Sequence, residues 1–357
     1  MSMERHTVAF PGLGIEPFQL DRVAFTIPGI DWPVYWYGIL FALAFLLAIL
    51  YISKRAPVFG LDPDRALDVV LGGALGGIIG ARAYFVIFSW DQYKDNLVNI
   101  FKIWEGGIAI YGSVIGGFLA GYLTCRIRKV KFLPMADLAV GGLILGQAIG
   151  RWGNFVNIEA FGSVTGGAWR MCSPAAADFL LRTGQIDQTV ADQITAGTLG
   201  VHPTFFYESV WCLTGFLLIV WMTGRRRFDG QLTLFYAGWY GLGRSVIEGL
   251  RTDSLMWGSV RVSQALAVVL VIASAVAVFV VCRKIKSADG PDRWKLYVDT
   301  EEGQAILRGE FYSRPQEGPA AAEEEEPAQT EQPDSGMPAG QDAAPKEEEE
   351  QDERKTD

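Results

Sequence analysis

Three arginines lie in sequence surroundings where a charge is costly. Arg82, Arg151 and Arg244 each fall inside or at the edge of an apolar, glycine-rich stretch long enough to cross a bilayer. An arginine at the centre of a membrane helix costs about 2.5–3.5 kcal/mol on insertion scales, so several of them need a favourable partner. A lipid phosphate is such a partner, because a guanidinium donates to two of its oxygens at once. The pattern therefore predicts a protein that handles phospholipid.

The densest polar cluster covers residues 150–162, Gly-Arg-Trp-Gly-Asn-Phe-Val-Asn-Ile-Glu-Ala-Phe-Gly. Arg151 and Asn154 are three residues apart, so they share a face if the preceding helix continues through them. A plainer interpretation also fits, in which Arg151 extends its charge to the membrane surface from a helix end and the asparagines form a turn. Composition alone leaves both interpretations open.

A second cluster runs from Tyr240 to Arg251. Arg244, Glu248 and Arg251 are spaced i, i+4 and i+7, which places them on one face of a continuous helix. An internal ladder of ion pairs is the alternative to a ligand site. Two arginines with one carboxylate still leave one positive charge for an anion.

Two shorter clusters complete the polar inventory. Residues 104–113 read as a glycine-rich turn that leads into an apolar run. His202 precedes Pro203 at the start of another run, and proline suits the first turn of a helix. His202 is therefore either a hydrogen-bonding residue at a helix entry or part of a site.

Membrane helices must position these clusters. Seven mostly apolar runs have the length that a helix needs to cross the hydrocarbon core. They cover residues 34–53, 65–88, 107–125, 134–150, 203–223, 230–248 and 262–282. Basic residues follow the first, third, fifth and seventh runs, and these clusters lie on one side of the membrane if all seven runs cross it. Because basic residues favour the cytoplasmic side, the N-terminus is then outside.

The sequence thus predicts an all-α, seven-helix transmembrane bundle with an extracytoplasmic N-terminus and a cytoplasmic C-terminus. Residues 1–33 form an extracytoplasmic segment, 34–284 the membrane domain and 285–357 an acidic tail that is mostly disordered. Within the membrane domain, residues 151–202 form a small extracytoplasmic head. Glycines recur every four residues in three of the runs, which is typical of close helix packing and also leaves room for a polar ligand.

Composition excludes several classes of protein. Half of the 357 residues are hydrophobic, and the net charge of −9 averages two unlike parts. Residues 287–357 carry 21 acidic and 7 basic residues (−14), which leaves 19 acidic and 24 basic residues (+5) elsewhere. That surplus follows the membrane orientation and does not indicate nucleic acid. Two histidines, and four cysteines without metal-ligand spacing, predict no metal and no cofactor. The N-terminus lacks the pattern of a cleavable signal peptide.

The four clusters, in this order, resemble the prolipoprotein diacylglyceryl transferase family. The resemblance spans about residues 30–284, and the 150–162 cluster is its most specific motif. It also includes Trp36-Tyr37-Gly38, Gly80-Ala81-Arg82 with Tyr84, Trp104-Glu105-Gly106-Gly107, His202-Pro203-Thr204 with Tyr207-Glu208, and Tyr240-Gly241 with Arg244, Glu248 and Arg251.

The resemblance implies an enzyme of the bacterial cytoplasmic membrane. Such an enzyme moves diacylglycerol from phosphatidylglycerol to the lipobox cysteine of a preprolipoprotein signal peptide, at the extracytoplasmic side. The product is a thioether, and glycerol phosphate is released. By the same resemblance, Arg151 and Arg244 clamp the phosphate and stabilise the leaving group. The other phosphatidylglycerol-binding residues that it implies are Tyr37, Arg82, Asn154, Asn157, Glu159, Gly162, His202, Glu248 and Arg251.

One position departs from the family pattern. Many relatives have a histidine where this chain has Tyr111, and that histidine has been read as a general base. A phenol with an ordinary pKa near 10 is a poor base at neutral pH. Tyr111 is expected to be a catalytic residue that hydrogen-bonds, and the identity of the base stays open.

Three other functions compete with this one. A transporter or channel for an anionic or lipid substrate also carries arginines and broken helices in its spans, although no internal repeat is visible here. An intramembrane protease would need a nucleophile or metal motif, and neither Gly-x-Ser-x-Gly nor His-Glu-x-x-His occurs. A purely structural lipid-binding protein would not need polar residues converging from so many runs.

Overall fold

Long apolar helices dominate the fold of this computed structural model, which describes residues 5–251, 256–257, 260–287 and 294–312. Each predicted run coincides with a helix. The long helices are α1 (Trp36–Arg55), α2 (Pro63–Phe88), α3 (Ile110–Ile127), α4 (Phe132–Asn157), α7 (Thr204–Thr223), α8 (Gln231–Ile247) and α9 (Val262–Lys286). There are also three short helices in the described residues. Two, α5 (Pro174–Arg182) and α6 (Gln188–Thr195), lie between α4 and α7, and α10 (Glu301–Leu307) follows α9.

Within the described residues, six helices are long and apolar enough to cross a bilayer. The predicted run that is not among them is the sixth, 230–248, which corresponds to α8; this helix has 17 residues and carries Arg244 in its last turn. The fold is therefore that of a mostly helical, multi-pass membrane protein. That α8 also spans the membrane remains a prediction, as does the orientation.

The prediction of an all-α fold is wrong, because four two-stranded antiparallel sheets accompany the helices. They pair β1 (Arg5–Phe10) with β2 (Ile15–Asp21), β3 (Val23–Ile27) with β4 (Trp32–Tyr35), β5 (Val164–Thr165) with β6 (Gly200–Val201), and β7 (Met256–Trp257) with β8 (Val260–Arg261). Two of the sheets fold the segment before α1 into hairpins. The sequence analysis searched for apolar runs of membrane length, and these strands are much shorter.

Glycines allow α2 and α3 to pack with their backbones in contact, as the four-residue spacing predicts. A Cβ atom at Gly76 would lie 2.8 Å from the carbonyl oxygen of Gly116, and one at Gly80 would lie 2.4 Å from that of Gly112. Any larger side chain would force the helices apart.

The described chain has two hydrophobic cores. The first lies among the long helices around Leu138, Ile144 and Ile219. The second lies outside them, where Val8 of β1 packs with residues of α5, α6 and the segment after α4; its buried members include Phe161, Met171, Leu180 and Ile194. The hairpin of β1 and β2 is therefore part of the second core.

Residues 294–312 fold against the ends of the helices, although they belong to the segment predicted to be mostly disordered. The amide of Tyr297 donates to Asp229 at 2.7 Å, and Tyr297 and Ile306 are buried in the first core. Lys131 pairs with Glu302 at 2.9 Å. The disorder predicted beyond about residue 315 concerns residues outside the described part.

Candidate active site

Two of the three arginines converge on one carboxylate. Arg151 lies near the end of α4, and its Nε is 2.7 Å from Oε2 of Glu208 on α7. Arg244, in the last turn of α8, places Nη1 3.1 Å from Oε1 of the same Glu208. The arginine side chains are about one-fifth exposed, at 20% and 19%, so each retains a surface that a ligand could reach. Three helices thus contribute one charged cluster.

A second carboxylate corrects the expected charge balance. Arg244 Nη2 also lies 2.7 Å from Oε2 of Glu248, which is buried. Glu208 and Glu248 therefore balance Arg151 and Arg244. The sequence set Arg244 and Arg251 against Glu248 alone, and the structure adds Glu208 as a second acid beside Arg244. Arg261 restores a surplus, because its Nη1 donates to the backbone oxygen of Glu248 at 2.8 Å. Among these five described side chains, three guanidiniums against two carboxylates give a formal charge of +1.

Neighbouring contacts fix the end of α4. The helix continues past its predicted end at residue 150 to Asn157, so Arg151 and Asn154 share a face as predicted. Arg151 Nη1 donates to Asn154 Oδ1 at 3.4 Å. The indole of Trp152 donates to Ser209 Oγ at 3.1 Å and so ties α4 to α7 next to Glu208. Gly153 leaves space for the Tyr37 ring, which a Cβ atom there would approach to 2.6 Å.

Gly162 lies where three segments of the site meet. Its amide donates to the backbone oxygen of His202 at 2.9 Å, and the next amide, of Ser163, donates to Leu250 at 2.7 Å. A Cβ atom at Gly162 would lie 2.8 Å from that of His202 and 2.9 Å from the oxygen of Leu250. Only glycine fits without displacing these segments.

The turn before Gly162 is unusual, because two residues other than glycine have left-handed backbone conformations. Ile158 has φ 53° and Ala160 has φ 55°. Such residues persist where the surrounding structure fixes them. Here Thr204 Oγ1 donates to the backbone oxygen of Ala160. The amide of Glu159 donates to the backbone oxygen of Asn154 at 2.9 Å. The turn therefore connects the arginine pair to the start of α7.

The remaining residues of the 150–162 cluster face in different directions. Asn157 Oδ1 accepts a hydrogen bond from Arg22 Nε at 3.3 Å. The side chain of Glu159 is exposed. Among the described residues, no ion pair is formed by Glu159. Binding of phosphatidylglycerol by Asn157 and Glu159 stays a prediction.

His202 fits the interpretation of a hydrogen-bonding residue at a helix entry. Its backbone oxygen accepts from Thr204 at 2.9 Å, and its Nδ1 lies 3.4 Å from the hydroxyl of Tyr207. Burial lowers the pKa of His202, because the charged imidazolium is poorly solvated there. The ring is therefore neutral at neutral pH.

Arg251 does not continue the helix face of Arg244 and Glu248, so that prediction is wrong. The α-helix ends at Ile247, a 3₁₀ turn covers Glu248–Leu250, and Arg251 is extended. The backbone of Arg251 forms an antiparallel bridge with Gly162. Pairing with the 162–163 segment has replaced the helical hydrogen bonds.

Arg82 has backbone partners. Its guanidinium is buried and donates to the oxygens of Asn99 (2.6 Å), Ile100 (2.8 Å), Gly106 (2.7 Å) and Gly107 (2.8 Å). Four of its five N–H donors thus hold the 99–107 segment against α2. None of its hydrogen bonds to the described residues reaches the Arg151–Arg244 cluster. Arg82 as a lipid ligand stays a prediction, and these contacts give it a structural task instead.

Tyr111 lies at the start of α3 and is 41% exposed. Its ring centroid is 6.5 Å from that of Tyr84. No side chain of the described residues forms a hydrogen bond with its hydroxyl. Its exposure would allow that hydroxyl to hydrogen-bond to a ligand or to solvent.

Open space lies along α4 before Arg151. A Cβ atom at Gly142 would touch α1, 3.1 Å from Ile52 and 3.3 Å from Ala48. At Gly146 and Gly150, by contrast, no atom of another described segment lies within 4 Å of such an atom. This glycine row therefore changes from helix packing to free space as it approaches the arginines.

Sequence reasoning missed several residues of the cluster. Glu208 was noted as part of a motif without a role, and Arg261, Ser209 and Arg22 were not singled out. An acid inside an apolar run was an available signal for Glu208, since such a residue needs a partner. Arg22 and Arg261 join the site through backbone and amide oxygens, which leave no pattern in the sequence.

In this geometry, a multi-pass helical membrane protein gathers guanidiniums and carboxylates from three helices near the helix ends. The sequence profile of the family described as prolipoprotein diacylglyceryl transferase matches residues 22–280. The chain therefore belongs to the prolipoprotein diacylglyceryl transferase family.

Individual relatives agree with the profile, and each is named phosphatidylglycerol–prolipoprotein diacylglyceryl transferase. The protein from Listeria monocytogenes serovar 1/2a is 44% identical over 265 residues, which cover 74% of this chain and 90% of the relative. The one from Clostridioides difficile is 39% identical over 268 residues, covering 75% and 98%. The one from Staphylococcus aureus is 39% identical over 276 residues, covering 77% and 93%.

Proposed function

We propose that this protein transfers the diacylglyceryl group of phosphatidylglycerol to the lipobox cysteine of a preprolipoprotein. The convergence of Arg151 and Arg244 on Glu208 is the observation that carries this proposal. It brings two guanidiniums from different helices within reach of one anion. Membership of the family, with relatives named for this activity, supports the same conclusion.

The reaction needs a stabilised phosphate leaving group. The cysteine sulfur attacks the glyceryl carbon, a C–S bond forms, and the C–O bond to the phosphate breaks. Glycerol phosphate leaves, and the thiol proton is released. Arg151 and Arg244 hold the charge that develops on the phosphate, because preorganised donors in a water-poor site stabilise such charge strongly. The positive cluster also favours the thiolate, since a free thiol has an ordinary pKa near 8.5.

The carboxylates set the geometry of this clamp. Glu208 and Glu248 occupy one donor of Arg151 and two of Arg244, and Asn154 occupies a further donor of Arg151. Each guanidinium has five N–H donors, so the contacts within the described residues leave three on each for the substrate. The formal surplus of +1 from Arg261 favours an anion over a neutral lipid.

The surroundings of the clamp receive secondary roles. Tyr37, Asn154 and the space beside Gly146 and Gly150 accommodate the glycerol head group. The site opens to the extracytoplasmic side of the bacterial cytoplasmic membrane, and the second core forms the extracytoplasmic head. Tyr111 hydrogen-bonds to substrate and does not remove the thiol proton.

A reconstituted reaction tests this function. Purified protein in detergent receives phosphatidylglycerol and a synthetic lipobox peptide, and the thioether product is sought by mass spectrometry. Phosphatidylethanolamine and a peptide with serine in place of the cysteine are the controls. Product only with phosphatidylglycerol and the cysteine peptide is expected. Absence of product with active lipid and peptide would contradict the proposal, and movement of labelled lipid between the leaflets of liposomes containing the protein, without product, would favour the transporter.

A further inference from the structure

Two tryptophans join α7 to α8 beside the arginine cluster. The rings of Trp211 on α7 and Trp239 on α8 stack with centroids 4.2 Å apart and planes 13° apart. Each indole also donates to the other residue's backbone oxygen: Trp211 Nε1 to Trp239 O at 2.9 Å, and Trp239 Nε1 to Trp211 O at 3.0 Å. The contact is reciprocal, so it fixes both the sliding and the rotation of one helix against the other.

Two glycines make this contact possible. Gly215 follows Trp211 by four residues, and Gly243 follows Trp239 by four. A Cβ atom at Gly215 would lie 2.5 Å from Trp239 Nε1, and one at Gly243 would lie 2.3 Å from Trp211 Nε1. Each indole therefore lies on the other helix's glycine. We name these four residues the indole lock.

The indole lock lies next to the charged cluster on both helices. Glu208 precedes Trp211 by three residues, so the two share a face of α7. Arg244 directly follows Gly243. Any shift of α8 against α7 would therefore change the 3.1 Å contact between Arg244 and Glu208.

We propose that the indole lock consists of positioning residues, which hold Arg244 in the geometry that stabilises the leaving phosphate. This inference rests on the proposed function. Displacement of a catalytic group by about 1 Å costs on the order of 100-fold in rate. Because α4 and the glycine-lined space still hold the lipid, loss of the lock lowers kcat and leaves the KM for phosphatidylglycerol nearly unchanged.

The first test removes one hydrogen bond and keeps the stacking. Trp239→Phe is expected to lower kcat by about tenfold, a fraction of the full cost of displacement, with little change in KM. Trp221→Phe is the matched control, because Trp221 lies on α7, the partner helix of the contact, but is 58% exposed and outside the indole lock. A lower melting temperature for Trp239→Phe with unchanged kcat per folded molecule would reduce the lock to ordinary packing and overturn the proposal.

A second test separates the steric fit between α7 and α8 from the positioning of Arg244. Gly243→Ala introduces the overlap with Trp211 and is expected to lower both stability and kcat. Adding Trp211→Leu removes the overlap, but it also removes one indole of the lock, so Arg244 is still not held in place. The double variant is therefore expected to regain part of the melting temperature lost in Gly243→Ala while kcat stays low. Recovery of kcat along with stability would overturn the proposal.

A third test does not depend on enzyme activity. The shifts in melting temperature caused by Trp239→Phe and Glu208→Gln are expected to be non-additive, because Arg244 couples the two sites. Additive shifts would overturn the proposal even if the wild type were active. Failure of the proposed function would appear differently, as a wild-type protein that forms no thioether.

Discussion

Replacement of Arg151 by lysine tests the clamp at a single residue. Lysine keeps the charge and can still meet Glu208, but its single nitrogen cannot donate along two parallel directions to a phosphate. Arg151 uses Nε for Glu208 and Nη1 for Asn154, which leaves three donors for substrate. Loss of one donor to a developing oxyanion costs about 2.7–4 kcal/mol, or roughly 100- to 1,000-fold in kcat.

Steady-state transfer from phosphatidylglycerol to a lipobox peptide measures this change. The expected result is a 100- to 1,000-fold lower kcat, by the same oxyanion-donor estimate, with a smaller change in KM, since the retained charge still attracts the lipid. Arg182→Lys is the control, because Arg182 forms an exposed pair with Asp178 at 2.9 Å on α5. Wild-type kcat for Arg151→Lys, or an equal loss for both variants, would refute the reasoning.

Four further predictions concern space, the C-terminal segment, pH and Tyr111. Gly146→Leu should fold normally yet lose turnover, whereas Gly142→Leu should lower the melting temperature because α1 lies against it. Truncation after residue 313 should leave the melting temperature and turnover unchanged, whereas truncation after residue 287 should lower the melting temperature by removing buried contacts of residues 294–312. Burial lowers the pKa of His202, so the unfolded chain binds its proton first and stability falls as pH drops through about 6.5. Thermal melts at pH 8 and 5.5 should show a smaller loss in His202→Gln. Tyr111→Phe should lower turnover less than Arg244→Ala in the transfer assay.

The helices and their packing were predictable, because they follow from patterns local in the sequence. Apolar runs of membrane length located all seven long helices, and glycine spacing identified the contact between α2 and α3. The shared face of Arg151 and Asn154 followed from helical periodicity. Signals of this kind depend only on neighbours within a few turns.

Features that depend on contacts between distant segments were not predictable. Glu208 acquires its role only when α7 places it between α4 and α8. Arg82 donates to backbone oxygens, and because every residue has one, the residue types in the sequence do not indicate these partners. The end of α8 at Ile247 depends on pairing with Gly162 and Ser163. Short strands such as β5 lack the length to show an alternating pattern.

Lipid binding measures the central claim most directly, because the clamp is proposed to recognise a phosphate. Native mass spectrometry of the purified protein would compare phosphatidylglycerol with diacylglycerol, which has the same tails and no phosphate. The wild type should prefer phosphatidylglycerol, and a variant with both Arg151→Gln and Arg244→Gln, which removes the two charges, should lose most of that preference. An unchanged preference in the double variant would contradict the account.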